Sequence, residues 1–230
     1  MESPLLHSQR PRAAESPPKR YEQMKIVVFG ATGRVGSCIV EQALQAGHNV
    51  TAFVRNPRSL KNSANLSVVE GDVLDKSAVG AALQSGFDAV VNAIGESGLK
   101  PSTLVTDSVT IIVAAMQATG NRRFLGVSGT AEMAQRTFLG KVTIALFRMT
   151  PVGHPIRDHD GALEQLKKSG LRWMLAGCGY IKTGPRVGRY RTSLILDGGF
   201  KVIHPPDVAD LIVRELTQEK YTGNVVGIWY

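Results

Sequence analysis

Apolar residues recur along this chain in two alternating spacings. Short runs that are apolar at nearly every position, such as KIVVF at 25–29, are typical of strands buried on both faces of a sheet. Longer segments with an apolar residue every three or four positions, such as 102–120, are typical of amphipathic helices. The pattern predicts strands at 25–29, 49–54, 66–72, 88–95, 122–128, 171–177, 201–204 and 224–230, and helices at 35–46, 76–86, 102–120, about 157–169, and from an Asp207 N-cap to 216.

Strands that alternate with helices predict an α/β fold with one domain, a Rossmann-like, doubly wound parallel sheet covered on both faces. We expect this domain to span 24–230. Two less regular segments, 129–156 and 179–192, are expected to be its substrate loops, because loops carry specificity in such folds. Residues 1–23 contain four prolines and few apolar residues, which predicts a disordered extension.

Composition narrows the class of protein. The chain has 230 residues, of which 43% are hydrophobic, and no apolar run is long enough to span a membrane. Cys38 and Cys178 are the only cysteines, which indicates a reducing compartment, and we expect the cytoplasm. No spacing typical of metal ligands occurs, so no metal is expected.

The formal net charge of +8 comes from scattered basic residues. They could form a solvated basic face or attract an anionic cofactor or substrate. Because no basic run is interleaved with aromatic residues, we do not expect nucleic acid as a partner. Since no membrane span is expected either, we expect a small-molecule partner and no membrane.

Three glycines mark the junction between the first predicted strand and the first helix, in the stretch IVVFGATGRVGS at 26–37. Glycine lets the backbone turn sharply and approach a pyrophosphate, whose charge is stabilised at the helix N-terminus. Glycine also serves ordinary turns, but the strand, the helix and the following βαβ pattern favour a dinucleotide site. The expected cofactor contacts are Gly30, Thr32, Gly33, Arg34, Val35 and Gly36 in the turn, Arg55 after the second strand, Asp72 and Val73 after the third, Ala93, Ile94 and Gly95 at the fourth, and Ser128 at the fifth.

The residue after the second strand bears on the choice of dinucleotide. NAD sites usually carry an acid there, to bind the ribose 2′-hydroxyl. This chain has Arg55, and Arg34 lies inside the glycine turn. Arginines at these positions favour NADP(H) over NAD(H), because a guanidinium binds a 2′-phosphate through paired hydrogen bonds; the alternative is that both are surface charges. Asp72 could contact the adenine or cap its own loop.

Several motifs resemble one family. GATGRVG, VRNP, EGDVLD, NAIG and a fifth strand that ends in Ser128 are similar to those of the atypical short-chain dehydrogenase/reductases, the NAD(P)-binding, NmrA-like group. Within it, the chain most resembles the flavin reductase/biliverdin-IXβ reductase type. The resemblance covers 24–230 and continues through RDHDGALEQLKKSGLRWMLAGCGYI and KVIHPPDVADLIV. It implies an NAD(P)H-dependent reductase.

The catalytic pair of the classical family is missing. That family uses a tyrosine four residues before a lysine, and counting back from 169–170 puts the lysine position at His159 and the tyrosine position at Pro155. YEQMK at 21–25 has the right spacing but precedes the first strand, so it is a chance match. The absent pair argues against standard carbonyl reduction. The flavin and biliverdin reductase type resembles this chain in lacking the pair and in having Asp-His at this place.

Hydride transfer to a conjugated acceptor would need little acid catalysis, because a flavin, a biliverdin-like or a quinone-like molecule delocalises the incoming charge. Ser128 and His159 are the candidate catalytic residues. Ser128 could orient substrate or cofactor, or only bond local backbone. His159 could donate a proton, oriented by Asp158 or Asp160, or it could belong to a polar cluster at a helix start that Asp158 caps.

Both predicted loops contain candidate substrate contacts. In 129–156, the larger apolar residues could line a pocket or pack a short amphipathic helix. In 179–192, aromatic and basic side chains could close on the substrate, and Arg186 or Arg189 could pair with its carboxylate. The residues concerned are Phe138, Phe147, Met149 and His154 in the first loop, and Tyr180, Arg189 and Tyr190 in the second, of which we expect Met149, His154, Tyr180 and Arg189 to bind substrate.

Three functions fit these features. The first is an NADPH-dependent reductase of conjugated acceptors. The second is a non-catalytic sensor of the NmrA type, which would bind the dinucleotide and a partner protein. The third is a redox-neutral isomerase or cyclase of secondary metabolism on the same fold, since a fold does not fix a function. Open space beside the nicotinamide would favour the reductase over the sensor.

Overall fold

A computed structural model describes residues 23–57, 63–96, 98–196 and 201–230. The predicted extension at 1–23 lies outside the described residues except for Gln23. The strands are β1 (Lys25–Phe29), β2 (Asn49–Val54), β3 (Leu66–Glu70), β4 (Ala89–Asn92), β5 (Arg123–Gly129), β6 (Arg172–Cys178), β7 (Tyr180–Ile181), β8 (Arg191–Ser193), β9 (Val202–Ile203) and β10 (Asn224–Trp229). The helices are α1 (Arg34–Gln45), α2 (Lys76–Leu83), α3 (Leu104–Thr119), α4 (Ala131–Ala134), α5 (Phe138–Arg148), α6 (Gly153–Lys168) and α7 (Pro205–Gln218).

Eight strands form the main sheet, in the order β3-β2-β1-β4-β5-β6-β10-β8. The strands from β3 to β10 in this order pair in parallel, and β8 pairs antiparallel with β10 at the edge. The winding reverses between β1 and β4. The prediction of a single-domain, Rossmann-like, doubly wound sheet is therefore confirmed, with an antiparallel edge strand added.

Side chains of the central strands alternate between two apolar layers. In β1, Ile26 and Val28 pack with α1 and α7 on one face, whereas Val27 and Phe29 pack with α2, α3 and α6 on the other. This alternation follows from the two-residue repeat of a strand. It explains why the central strands are apolar at nearly every position.

The segment 129–156 is more regular than we predicted. It contains α4 and α5, and α6 begins at Gly153 rather than near 157. Ile144 is the buried residue of α5. A short amphipathic helix is one of the two alternatives predicted for the apolar residues of this segment, but in α5 the apolar residues other than Ile144 are exposed.

The start of α7 also differs from the prediction. His204 is the N-cap, and Pro205 and Pro206 occupy the first turn, where a missing N–H breaks no helical hydrogen bond. Asp207 is not the cap but a buried residue of the first turn, and its carboxylate is bonded to another segment. The predicted strand at 201–204 is the short β9, which pairs with β7 in a separate sheet.

None of the helices in the described ranges is long and apolar enough to cross a membrane.

Candidate active site

The glycine turn joins β1 to α1 and is closed by its own backbone. Gly30 has a φ of +75°, and the Gly33 N–H donates to its carbonyl at 2.9 Å. A Cβ on Gly36 would lie 2.0 Å from that same oxygen, and a Cβ on Gly30 would lie 2.9 Å from the carbonyl of Ala93. Glycine is therefore required here by packing alone, as well as by any close approach of a phosphate.

The same turn leaves the start of α1 open to an anion. Gly33 is the N-cap and offers no side-chain hydrogen bond, and the first turn of α1 contains no acidic residue. Backbone N–H groups at such a position bind a pyrophosphate favourably. Close packing leaves no room for a side chain at Gly30 or Gly36. The exposed backbone of the turn therefore fits a dinucleotide.

The expected cofactor residues differ in what they can present. Thr32 and Gly95 are exposed, and Ala93 and Ile94 are half-buried at the end of β4. Asn92, buried beside them, accepts a hydrogen bond from the Ile94 N–H at 3.1 Å and so shapes this strand end. The side chains of Val35 and Val73 belong to the apolar core, which leaves only their backbone for a cofactor.

The two arginines both lie where strands of the main sheet end, Arg34 after β1 and Arg55 after β2. Arg55 follows β2 and is exposed. Arg34 is also exposed, and its Nη1 donates to the carbonyl of Ile181 in β7 at 3.2 Å. A guanidinium carries five N–H donors, so this bond occupies only part of its capacity. Arg58 and Lys61, which follow Arg55 in sequence, lie outside the described residues.

Asp72 has a local partner. Its Oδ1 accepts a hydrogen bond from the Leu74 N–H at 2.9 Å, so the residue caps its own loop before α2. Its contact with an adenine stays a prediction.

The two candidate catalytic residues meet. Ser128, near the end of β5, has its Oγ 3.4 Å from Nδ1 of His159 in α6. Burial lowers the pKa of the His159 imidazole, and the charges of Asp158 and Asp160 oppose this shift with a smaller effect. The imidazole is therefore neutral at pH 7 and can either accept from the serine hydroxyl or donate to it.

The two neighbouring aspartates serve other groups. Asp158 is buried, and its carboxylate accepts from the N–H groups of Val105 at 3.0 Å and Thr106 at 2.8 Å. It thus caps the start of α3. This corrects the alternative in which Asp158 caps the start of its own helix, because Asp158 lies inside α6; both of its carboxylate oxygens are bonded to α3 rather than to His159. Asp160 forms an ion pair with Arg148 at 2.5 Å.

A cavity of about 350 Å³ lies directly beside His159. Pro155 and His159, one turn apart on α6, both line it, and these are the two positions that correspond to the missing tyrosine and lysine. The remaining lining is Glu96, Gly98, Leu99, Lys100, Ser102, Val105 and Asp158.

One wall of this cavity was not predicted from the sequence, and it consists of Glu96, Gly98, Leu99, Lys100 and Ser102. One signal was present: these residues follow the carboxyl end of β4, beside the point where the sheet reverses, and ligands of open α/β sheets bind at such a point. The segment has no periodic pattern of its own, which is why pattern alone did not find it.

The residues expected to bind substrate lie elsewhere. Met149 and Tyr180 are strongly exposed, Arg189 is exposed, and Nδ1 of His154 lies 2.7 Å from a guanidinium nitrogen of Arg157. The lining of the cavity, as far as the chain is described, includes none of the four. Their substrate roles stay predictions.

The second predicted loop is fixed on α7. The N–H groups of Val187 and Gly188 donate to the buried Asp207 at 2.9 and 2.7 Å. Tyr190 donates to Asp210 at 2.6 Å, and Arg186 pairs with the same carboxylate. Arg186 therefore already has a carboxylate partner within the protein.

Comparisons with known proteins bear on the family and the fold of the chain. A family model described as NAD(P)H-binding matches residues 30–219. Isoflavone reductase homolog P3 of Arabidopsis thaliana is 30% identical over 142 residues, which cover 54% of this chain and 43% of that protein. The chain spans less than half the length of the first curated relatives that it matches.

Solved structures share the fold over most of the chain. A Streptococcus pneumoniae protein, provisionally described as an NADH-flavin reductase, has a TM-score of 0.70 at 25% identity, over 90% of this chain and 99% of that one. A short-chain dehydrogenase/reductase of Veillonella parvula in complex with NADP has a TM-score of 0.69 at 16% identity, over 90% and 94%. The latter likeness shows the fold alone. The chain thus has an NAD(P)H-binding fold of the oxidoreductase kind, with reductases among its neighbours.

Proposed function

Because the chain belongs to the NAD(P)H-binding family, we propose that it is an NADPH-dependent oxidoreductase that transfers hydride to a conjugated acceptor, either a flavin, a biliverdin-like or a quinone-like molecule. The observation that carries this proposal is the cavity of about 350 Å³ beside His159. A reductase needs such space next to the nicotinamide, whereas a sensor can fill it with side chains.

The dinucleotide supplies the hydride when it is bound. The chain's own residues would bind and align it: the backbone of 30–36 would hold the pyrophosphate, and the end of β4 would hold the ribose. In this proposal Ser128 and His159 would lie beside the reacting groups, since the two side chains meet and His159 lines the cavity. This division of labour fits an acceptor that needs alignment more than acid catalysis.

His159 acts in this proposal through its neutral form. Burial lowers the pKa of His159, so the imidazolium is scarce at pH 7 and the residue is a poor general acid there. Its 3.4 Å contact with Ser128 suits a hydrogen bond that orients the acceptor or the nicotinamide. Water then supplies the proton to the delocalised product.

We place the protein in the cytoplasm. Both cysteines, Cys38 and Cys178, are unpaired, as is usual in a reducing compartment.

The preference for NADPH is tested through the two arginines. We expect Arg34→Ala and Arg55→Ala each to weaken NADPH binding about tenfold or more while they change NADH binding little, because only NADPH carries the 2′-phosphate. Calorimetric titration with both cofactors measures this. Arg122→Ala is the matched control. Arg122 is exposed and directly precedes β5, so it lies at the amino ends of the strands, away from the predicted cofactor site at their carboxyl ends. Equal loss for both cofactors, or no loss, would contradict the 2′-phosphate role.

The reaction itself is tested by mixing the protein with NADPH and FMN, biliverdin or a quinone and following the absorbance of the reduced nicotinamide. Oxidation that depends on the acceptor supports the reductase. Tight NADPH binding without turnover of any such acceptor would reject it and favour a sensor or a redox-neutral enzyme.

A further inference from the structure

Helix α5 exposes its apolar side to solvent. Phe138, Leu139, Val142, Leu146 and Met149 are 84, 75, 44, 60 and 85% exposed. Successive residues of a helix are rotated by about 100° around its axis, so these five positions lie within one arc of about 100° when α5 is viewed along its axis. We call them the α5 stripe. A contiguous exposed apolar surface of this kind usually marks a contact with a partner or a membrane.

On the opposite side of α5, Gly140 and Ile144 pack against the protein, whereas Phe147 is 46% exposed. A Cβ on Gly140 would lie 1.8 Å from the carbonyl oxygen of Ala134 in α4, and the hydroxyl of Thr137 caps the helix by accepting from the Gly140 N–H at 3.1 Å. Ile144 is buried on this side. Since these contacts fix the rotation of α5, the helix cannot turn its stripe inward without losing them.

The segment around the stripe is basic. Residues 133–157 contain four cationic side chains and no Asp or Glu. One cation, Arg148, is paired with Asp160, whereas Arg136 and Arg157 donate to main-chain carbonyls and so keep their charge. Lys141 lies on α5 itself, next to the stripe.

This charge selects among the occupants of the stripe. Two copies related by a two-fold axis would bring the same cations towards each other, which is unfavourable. An anionic phospholipid surface offers acyl chains to the stripe and negative headgroups to the cations, as for helices that lie in the membrane interface.

We propose that α5 docks this protein on an anionic phospholipid surface, with the α5 stripe in the acyl boundary and Lys141 at the headgroups. Our expectation of no membrane partner came partly from the lack of a long apolar run. That absence excludes a spanning helix but not one that lies flat on the surface.

Co-sedimentation of the full chain with vesicles tests this proposal independently of any redox activity. The vesicles are phosphatidylcholine alone, or phosphatidylcholine with about one-third phosphatidylglycerol. We expect binding to the anionic vesicles that weakens with salt. The double variant Leu139→Ser with Leu146→Ser should lower the partition coefficient about tenfold or more, and Lys141→Gln about fivefold.

Leu74→Ser is the control, because Leu74 is a comparably exposed leucine that lies outside the stripe, in the loop before α2. It should bind like the unmodified chain. The proposal is overturned if the unmodified chain does not bind anionic vesicles, or if the double variant binds as well as the control. A dimer in light scattering that the double variant abolishes, without vesicle binding, would make the stripe an interface between copies instead.

Discussion

Ser128 and His159 lie 31 positions apart in sequence, yet their side chains meet because β5 delivers one to the edge of the sheet where α6 carries the other. A lone serine at a strand end or a lone histidine in a helix means little. Their contact beside an open cavity gives both a place in one site.

The protonation of His159 predicts a pH profile for acceptor reduction. Because burial lowers its pKa, the neutral form persists at pH 7 and is lost only as the pH falls below the ordinary histidine value of about 6.5. We expect kcat/KM to be level from neutral to mildly alkaline pH and to decline in acid. In His159→Gln, the acid decline should disappear at a lower overall rate. A rate that rises towards acid and loses this rise in the variant would identify the imidazolium as a proton donor.

Two aspartates bond groups at the start of α3: Asp158, which lies in α6, and Asp107, which lies in α3 itself. We expect their removal to lower the stability of the fold by different amounts. Its buried carboxylate accepts from two backbone N–H groups, so Asp158→Ala leaves both without a partner and should lower the free energy of unfolding by about 1–3 kcal/mol. Asp107 is the control, since it lies exposed in the first turn of α3 and bonds only the Thr103 hydroxyl among the contacts described. Denaturant titration should show less than about 1 kcal/mol for Asp107→Ala. Equal effects would mean that Asp158 does not anchor α6 to α3.

At the scale of elements, we expect the substitution of glycine by alanine to have opposite effects at Gly36, in the glycine turn, and at Gly80, in α2. Gly36→Ala would place a Cβ 2.0 Å from the Gly30 carbonyl, so α1 must move and dinucleotide binding should be lost. Gly80, in α2, has nothing within 4 Å of such a Cβ, so Gly80→Ala should be neutral or stabilise by up to about 1 kcal/mol. Thermal unfolding and NADPH titration measure both. Retained binding in Gly36→Ala would show that the turn adapts.

The elements that sequence predicted correctly are those with one dominant period. β1 is apolar from Ile26 to Phe29 and β2 from Ala52 to Val54 because both faces of the central sheet are covered, and α1 places its apolar side on that sheet. Their spacing then located the glycine turn, and the chemistry of the turn predicted the cofactor class.

The elements that the sequence did not predict are positioned by tertiary contacts. In α5 most apolar side chains face outward, and α7 begins at two prolines rather than at Asp207, whose carboxylate is bonded to another segment. The cavity wall at Glu96 and Lys100 has no period to detect, because a loop that follows a strand takes its position from the sheet. A hydrophobic pattern shows which residues of an element are buried against the chain's own core. The positions of α5, of the start of α7 and of the cavity wall are set by contacts with other segments, so the pattern does not show them.

For the whole molecule, two histidines with lowered pKa predict acid sensitivity. His48 is buried, and its Nδ1 accepts a hydrogen bond from the Met24 N–H at 3.2 Å, a role that requires the unprotonated nitrogen. Burial lowers the pKa of both His48 and His159. A depressed folded pKa stabilises the protein above the unfolded value, and that stability is lost as the pH falls through the folded value.

We therefore expect Tm to drop between about pH 7 and pH 5. In His48→Gln the drop should be smaller, although the variant starts from a lower Tm. Calorimetry over this pH range measures the difference. An unchanged slope in the variant would assign the sensitivity to other groups.

The order of the main sheet also governs how the chain is assembled during synthesis. The cofactor turn needs only β1, α1 and β4, which emerge from the ribosome early. β10, however, inserts between β6 and β8 and is made about thirty residues after β8. Until it arrives, the apolar β6 remains an open sheet edge on a nascent chain whose dinucleotide turn is already complete, and such an edge is where chaperones or misassembly would act first.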